Sequence, residues 1–97
     1  MKLAFIGTGK IIADALFAIE PIKEIEKTAI FARPHSKEKA EAFAKQYNIA
    51  EVYTDYEKLL TETAADTVYI GLINSAHYSY AKQALLHGKN VILEKPF

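Results

Sequence analysis

The chain opens with a short apolar run, breaks at two glycines and continues at once into an amphipathic segment. The run covers residues 2–6, the break is Gly7-Thr8-Gly9, and the segment covers residues 10–19. Strand, glycine turn and helix in this order let a phosphate approach the backbone closely, and the helix start offers it free N–H groups and the positive end of a dipole. We therefore predict a phosphate-binding turn, with a tight βα turn without ligand as the alternative.

The third glycine position of a dinucleotide-binding turn is occupied here by Ile12. A small residue at that position normally allows the first helix to pack closely on the strand. We therefore expect Ile12 to push the first helix slightly away from the sheet without blocking the phosphate.

Composition narrows the possible partners. Ninety-seven residues make one small domain, and a hydrophobic content of 51% supplies a core. Twelve basic and twelve acidic residues give a net charge of zero, which favours neither nucleic acid nor a membrane surface. The absence of cysteine excludes disulfides and cysteine-ligated zinc, and we predict no metal site. No apolar stretch approaches the ~20 residues of a membrane span. Since no signal peptide is visible, we expect a cytoplasmic protein.

Four more apolar runs alternate with helical patterns. These predicted strands cover residues 28–32, 52–53, 67–72 and 91–93. The alternation predicts an α/β fold, a Rossmann-type doubly wound parallel sheet with helices on both faces. In such a sheet the functional residues lie at the carboxyl ends of the strands, near the switch point.

The intervening helices carry start and stop signals. Ser36 is a candidate N-cap of the second helix, and residues 54–57 (Thr-Asp-Tyr-Glu) form a capping box for the third. Gly88 can end the fourth helix. The second helix has an apolar stripe formed by Ala40, Phe43, Ala44 and Tyr47.

The chain ends just after the fifth predicted strand, whereas a dinucleotide-binding sheet usually has six. We therefore expect residues 1–97 to be an incomplete dinucleotide-binding domain, truncated after strand five, of a longer protein with a second, substrate-binding domain. In residues 1–97 alone the fifth strand would be a bare apolar edge, which favours self-association of this fragment. For the protein itself we expect a homo-oligomer.

The end of the second strand bears on the choice of cofactor. NAD-binding sites usually have an acidic residue there, about 20 residues after the glycines, for the ribose 2′-hydroxyl. This chain has Arg33 instead, followed by Ser36 and Lys37, and Glu24 and Glu26 precede the strand at the wrong end. A guanidinium can grip a 2′-phosphate with two charge-assisted hydrogen bonds. We predict NADP rather than NAD, with a solvated arginine as the alternative.

The ends of the fourth and fifth strands carry further polar residues. Asn74 follows Ile73 and is either a helix cap or a contact to the nicotinamide ribose, and His77 falls in the first turn of the next helix. His35 and His87 have no partner spacing, and we treat them as surface residues. After the fifth strand, Glu94-Lys95-Pro96 is either a charged turn or the mouth of the cofactor cleft, where desolvation lowers a lysine pKa toward a range useful for proton transfer.

Together these residues resemble the N-terminal half of the glucose–fructose oxidoreductase/inositol dehydrogenase family (Gfo/Idh/MocA). The resemblance covers essentially the whole chain, and the Gly-Lys-x-Val-x-x-Glu-Lys-Pro run of residues 88–96 is its strongest part. The other matching segments are residues 6–9, 32–33, 39–44, 56–60, 66–70 and 74–77.

The resemblance implies an NAD(P)-dependent oxidoreductase acting on a sugar, polyol or related carbonyl. It implies that Lys95 is the catalytic or substrate-anchoring lysine, that Glu94 lies beside the nicotinamide, and that Asn74 and His77 correspond to an Asn-x-x-His element. Ile73 stands where a proline often precedes that asparagine. The family's other catalytic residue comes from the second domain. The residues expected to bind the cofactor are Gly7, Thr8, Gly9, Lys10, Ile11, Arg33, Ser36, Lys37, Ile73, Asn74, His77, Glu94 and Lys95.

Two other classes of protein share this fold. The first is a dinucleotide-sensing binding module without turnover, which has no need for a lysine at the hydride end. The second is a methyl-donor-binding domain, which the missing acid after the second strand disfavours. Lys95 favours the enzyme.

Overall fold

The computed structural model describes residues 1–71 and 74–93, and within these ranges it describes residues 74–77 by their backbone alone. Five strands alternate with four helices, and a short 3₁₀ turn, Pro34–Ser36, precedes the second helix. The strands are β1 (Lys2–Ile6), β2 (Glu26–Phe31), β3 (Glu51–Tyr53), β4 (Thr67–Ile70) and β5 (Asn90–Leu93). The helices are α1 (Lys10–Ile19), α2 (Lys37–Tyr47), α3 (Tyr56–Glu62) and α4 (Asn74–Leu86).

The strands form one parallel sheet in the order β3-β2-β1-β4-β5. The central strand β1 therefore has β2 on one side and β4 on the other, and the chain reverses its direction of travel across the sheet at β1. This is the switch point at which open α/β sheets bind ligands. The predicted Rossmann-type parallel sheet is confirmed.

Both faces of the sheet are covered by helices. Side chains alternate along β1, so Leu3 and Phe5 join one apolar cluster and Ala4 and Ile6 join the other. The first cluster includes buried residues of α1 and α2, and the second includes buried residues of α3 and α4. The sheet is therefore doubly wound, with a core on each side.

Most of the predicted helix signals are confirmed. The apolar stripe of α2 packs into the first cluster, with Ala40 fully buried. Gly88 has a φ of 76° and ends α4, since its N–H donates to the Leu85 carbonyl and the Lys89 N–H donates to the Ala84 carbonyl, both at 3.0 Å. Ser36 does occupy the N-cap position of α2, but its side chain makes no capping hydrogen bond within the described residues.

The predicted cap of α3 is one residue too early. Residues 54–57 suggest Thr54 as the N-cap, whereas in the structure Asp55 is the N-cap and its carboxylate accepts a hydrogen bond from the Lys58 N–H at 3.2 Å. This start places Tyr56 and Leu59 in the core beneath the sheet. Burial of the apolar face of the helix therefore decided between two adjacent capping residues.

The β5 edge of the sheet is apolar and open. Within the described residues β5 pairs only with β4, and Ile92 and Leu93 are 36% and 47% exposed. Leu85 and Leu86 on α4 are 63% and 75% exposed. The predicted truncation after strand five and the predicted homo-oligomer both stay predictions.

None of the helices in the described part of the chain is both long enough and apolar enough to cross a membrane.

Candidate cofactor site

A cavity of about 210 Å³ opens at the carboxyl ends of β1, β2 and β4. It therefore lies at the switch point of the sheet. Its lining residues come from the glycine turn, the turn after β2 and the end of β4. They are Gly7, Thr8, Gly9, Ala32, Arg33, His35, Ser36 and Gly71.

Backbone hydrogen bonds fix the floor of this cavity. The Gly7 N–H donates to the Phe31 carbonyl at 2.9 Å, and the Gly71 N–H donates to the Ile6 carbonyl at 3.0 Å. These two bonds continue the β1–β2 and β1–β4 pairings one step past the strands. The glycine turn is therefore held between the ends of its two neighbouring strands.

The glycine turn leaves room for an anion. Gly7 has a φ of 119°, which side-chain-bearing residues rarely adopt. Gly9 is the N-cap of α1, and within the described residues no side chain caps this helix start and no acidic residue lies in its first turn. A Cβ added at Gly9 would have no atom of the described part of the chain within 4 Å, apart from the adjoining residues. The free N–H groups and the open space fit the pyrophosphate of a dinucleotide.

The turn after β2 supplies positive charge and no negative charge. Arg33 is extended, with a φ of −64° and a ψ of 154°, and its carbonyl accepts a hydrogen bond from the Ser36 N–H at 2.8 Å. Within the described residues the Arg33 guanidinium forms no ion pair, and no acidic residue lines the cavity. Glu26 begins β2 and therefore lies at the opposite end of the strand. The turn therefore presents a cation, and no described carboxylate, to a ligand in the cavity.

Ile12 is accommodated by a glycine on a neighbouring strand end. Its side chain is fully buried, and a Cβ added at Gly71 would lie 2.7 Å from its Cδ1 and 2.9 Å from its Cγ1. The close approach therefore depends on Gly71.

Three aromatic rings support the site from the α3–α4 side of the sheet. Phe31, the last residue of β2, packs against Tyr56 and Tyr80, with ring centroids 5.5 and 5.8 Å away. The Tyr56 hydroxyl donates to the Tyr80 carbonyl at 2.8 Å. Burial, and then the neighbouring Tyr80, raise the pKa of Tyr56 well above its ordinary value. Tyr56 therefore stays a neutral donor that ties α4 to α3 beneath the end of β2.

The structure brings part of the predicted cofactor-binding set together. Five of the predicted residues line the cavity, namely Gly7, Thr8, Gly9, Arg33 and Ser36. Lys10 and Lys37 are exposed first residues of α1 and α2 and do not line it. Ile11 lines a separate groove beside Tyr69.

The remaining predicted residues cannot be compared in the same way. Ile73, Glu94 and Lys95 lie outside the described residues. Asn74 begins α4 and His77 falls in its first turn, and the side chains of both lie outside the described part.

Three residues that line the cavity were not predicted from the sequence, namely Ala32, His35 and Gly71. His35 is exposed, as expected, but it also lines the cavity two residues after Arg33. Gly71 lines it at the end of β4. The position of His35 in the same turn as Arg33 could have indicated that it lines the cavity. No local pattern indicated Gly71, because its importance comes from contact with a helix almost 60 residues earlier.

Comparison with known proteins gives a consistent result. Residues 1–97 match the Gfo/Idh/MocA family, described as an oxidoreductase family with an NAD-binding Rossmann fold. The chain is 34% identical over 97 residues to scyllo-inositol 2-dehydrogenase (NADP(+)) IolU of Bacillus subtilis, covering 100% of this chain and 29% of that protein. It is 32% identical over 95 residues to trans-1,2-dihydrobenzene-1,2-diol dehydrogenase of Xenopus laevis, covering 98% and 29%.

A solved structure shows the same fold. A 3-ketoreductase from Actinomadura kijaniata, in complex with TDP-benzene and NADP, superposes with a TM-score of 0.88 at 32% identity, covering 99% of this chain and 30% of that one. The chain thus spans about three-tenths of the length of the proteins it matches. It belongs to the Gfo/Idh/MocA family of oxidoreductases and has the NAD-binding Rossmann fold of that family.

Proposed function

We propose that the intact protein is an NADP-dependent oxidoreductase that transfers a hydride between the nicotinamide and a carbinol carbon of a sugar, polyol or related carbonyl compound. The observation that carries the proposal is the cavity at the switch point, which contains Arg33 and, among the residues that the structure describes, no acidic residue. Two relatives support it, since one is named for NADP(+) and another binds NADP.

The cofactor supplies the hydride chemistry, and the chain supplies binding and orientation. The N–H groups at the start of α1 bind the pyrophosphate in the space that Gly9 leaves open. Arg33 and Ser36 bind the 2′-phosphate, since a guanidinium offers two parallel donors and a hydroxyl adds a third. The adenosine end of the cofactor is thereby anchored at β2.

The reacting end belongs to residues whose roles come from the family resemblance. Lys95 polarises the substrate oxygen or relays its proton, and Glu94 lies beside the nicotinamide. Ile73, Asn74 and His77 contact the nicotinamide ribose. In this proposal the residues after β2 determine the cofactor preference, and the residues after β4 and β5 act in hydride transfer.

Arg33→Ala in the intact protein tests the cofactor assignment. Loss of a charge-assisted hydrogen bond weakens NADP binding by about 1.5–3 kcal/mol and leaves NAD binding nearly unchanged, because NAD has no 2′-phosphate. Isothermal titration with each cofactor measures both affinities. Arg33 is the only arginine in residues 1–97, so no other guanidinium of this segment can replace its contact with the 2′-phosphate.

Lys45→Ala is the matched control. Lys45 is an exposed cation in the last turn of α2, away from the cavity, so its loss changes the net charge equally without removing a contact. Equal affinity of the unaltered protein for NADP and NAD would contradict the NADP assignment. Binding of neither would contradict the proposed function.

A further inference from the structure

We propose that Gly71 and Ile12 act as one positioning unit for the pyrophosphate end of the cofactor site. The proposal rests on the proposed function and adds two residues to which no role in binding has been assigned. In a dinucleotide-binding turn the residue that keeps the helix close to the sheet is normally a small one on the helix. In this chain the large residue is on α1 and the small one is at the end of β4.

The distances show that the two positions share one space. A methyl group at Gly71 would lie 2.7 Å from Ile12 Cδ1 and 2.9 Å from Ile12 Cγ1, and both are closer than real side-chain contacts. The Ile11 Cγ2 atom is next, at 3.4 Å, which is an ordinary contact. The sum of the side-chain volumes at positions 12 and 71 therefore sets the separation between α1 and β4.

Ile12 cannot easily move aside. It is fully buried among residues of the first cluster, beside Leu16 and Phe5. A β-branched side chain in a helix is also largely restricted to one χ1 rotamer. A larger residue at position 71 therefore displaces the first turn of α1, rather than only a side chain.

The first turn of α1 is the part of the helix that faces the cavity. Ile12 lies three residues after the N-cap Gly9, and Gly71 itself lines the cavity. The Gly71 N–H is tied to the Ile6 carbonyl at 3.0 Å, so the strand end does not yield in place of the helix. A displacement of the helix start moves the N–H groups that bind pyrophosphate and leaves the Arg33 turn in place.

A double-mutant cycle on the intact protein tests the coupling. The dissociation constants of NADP and NAD are measured by isothermal titration for the unaltered protein, Gly71→Ala, Ile12→Ala and the double variant. Gly71→Ala alone is expected to weaken both cofactors by about 10-fold to 100-fold, the effect of misplacing a binding group by about 1 Å. In the Ile12→Ala background, the same change is expected to have little effect, because both close atoms are gone.

Ile12→Val adds a graded test. Valine lacks Cδ1 and keeps a Cγ1, so it removes the contact at 2.7 Å and retains the one at 2.9 Å. Rescue of Gly71→Ala by Ile12→Val should therefore be smaller than rescue by Ile12→Ala. Ile19→Ala, at the far end of α1, is the control for shortening an isoleucine on the same helix and should not rescue.

A ligand that lacks pyrophosphate separates positioning from general damage. Adenosine 2′-monophosphate reaches only the Arg33 turn, so its affinity should be unchanged in Gly71→Ala. Thermal unfolding of each variant shows whether it is folded, and if Gly71→Ala does not fold alone, Gly71→Ala in the Ile12→Val background is compared with Ile12→Val.

The possible results are distinct. Unchanged NADP binding in Gly71→Ala, or a loss that persists in full in the Ile12→Ala background, overturns the positioning role. Equal weakening of adenosine 2′-monophosphate also overturns it, since the damage is then general. Failure of the unaltered protein to bind either dinucleotide overturns the proposed function and this inference together.

Discussion

The two ends of the sheet use the same backbone pattern and differ in what their side chains do. At the amino ends of the strands, Glu26 N–H donates to Met1 O at 2.7 Å, Asp66 N–H to Lys2 O at 3.0 Å, and Asn90 N–H to Asp66 O at 3.0 Å. At the carboxyl ends, equivalent bonds join the glycine turn to its neighbouring strands. Both ends are thus held by hydrogen bonds between strands that are neighbours in the sheet.

Polar side chains close the amino end. The Asp66 carboxylate accepts from the Thr67 hydroxyl at 2.8 Å, and the Lys89 ammonium donates to the Ala65 carbonyl at 2.7 Å. At the carboxyl end, within the described residues, the Arg33 and Ser36 side chains that line the cavity form no such bonds. Polar groups that already have protein partners stabilise the fold, whereas groups left without them are available to a ligand.

The largest expected effect comes from comparing two variants, in each of which one of the lysines on either side of β5 is replaced by methionine. Lys95→Met should lower turnover in the intact protein by roughly 10²–10⁴, the range for loss of a proton-transfer group, with little change in unfolding free energy. Lys89→Met should leave turnover unchanged and lower the unfolding free energy by about 0.5–1.5 kcal/mol, because one hydrogen bond to the Ala65 carbonyl is lost. Steady-state kinetics and urea unfolding measure the two quantities.

Methionine keeps most of the length of the lysine side chain in both variants, so the comparison isolates the charged group. Near-normal turnover in Lys95→Met would assign Lys95 to the charged-turn alternative. A clear loss of turnover in a folded Lys89→Met protein would show that the amino end of β5 also contributes to catalysis.

A smaller effect should separate the two glycines of one turn. Gly9 has ordinary extended angles, a φ of −79° and a ψ of −171°, so Gly9→Ala should fold normally. Its methyl group would enter the space left for pyrophosphate and weaken NADP and NAD by about 10-fold to 100-fold. Gly7→Ala should instead destabilise the fold by about 1–3 kcal/mol, because its φ of 119° strains any side-chain-bearing residue.

Thermal unfolding and cofactor titration of the two glycine variants give a direct contrast. If Gly9→Ala is destabilised as much as Gly7→Ala, the fold itself requires a glycine at position 9. If Gly9→Ala binds both cofactors like the unaltered protein, the pyrophosphate lies elsewhere.

The smallest expected effect is a pH dependence at the amino end. The hydrogen bond from Thr67, with smaller contributions from the Lys2 N–H and nearby positive charge, holds the pKa of Asp66 below its ordinary value. The ionised carboxylate therefore stabilises the fold above about pH 4, and this contribution is lost as the pH falls through the lowered pKa. Asp66→Asn should reduce the difference in unfolding free energy between neutral pH and about pH 3.

Denaturant unfolding at the two pH values measures this difference. Glu57→Gln, an exposed carboxyl residue for which no hydrogen bond to its carboxylate is described, is the control and should leave the difference unchanged. An Asp66→Asn protein with the full pH dependence would show that other carboxylates govern the acid transition.

Local patterns predicted most of the fold and five of the eight residues that line the cavity. The strands were predicted from short apolar runs and the helices from the helical spacing of apolar residues, and both patterns are visible in the sequence. The sequence predicted Thr54 as the N-cap of α3, whereas the observed N-cap is Asp55. Both residues can cap a helix, and only the burial of the helix face distinguishes them. Lys10 and Lys37 were included as neighbours of the right turns, yet neither lines the cavity.

The sequence alone determined the alternation of strands and helices, the glycine turn before α1, and the presence of Arg33 without an acid after β2. Each depends on residues within one turn or one element, where spacing dictates geometry. Only the tertiary structure showed that His35 shares the cavity, that Ile12 fits against Gly71, and that the amino end is closed by Asp66 and Lys89. These contacts join residues distant in sequence, and residue type and period specify which face a side chain occupies but not which distant residue it meets there.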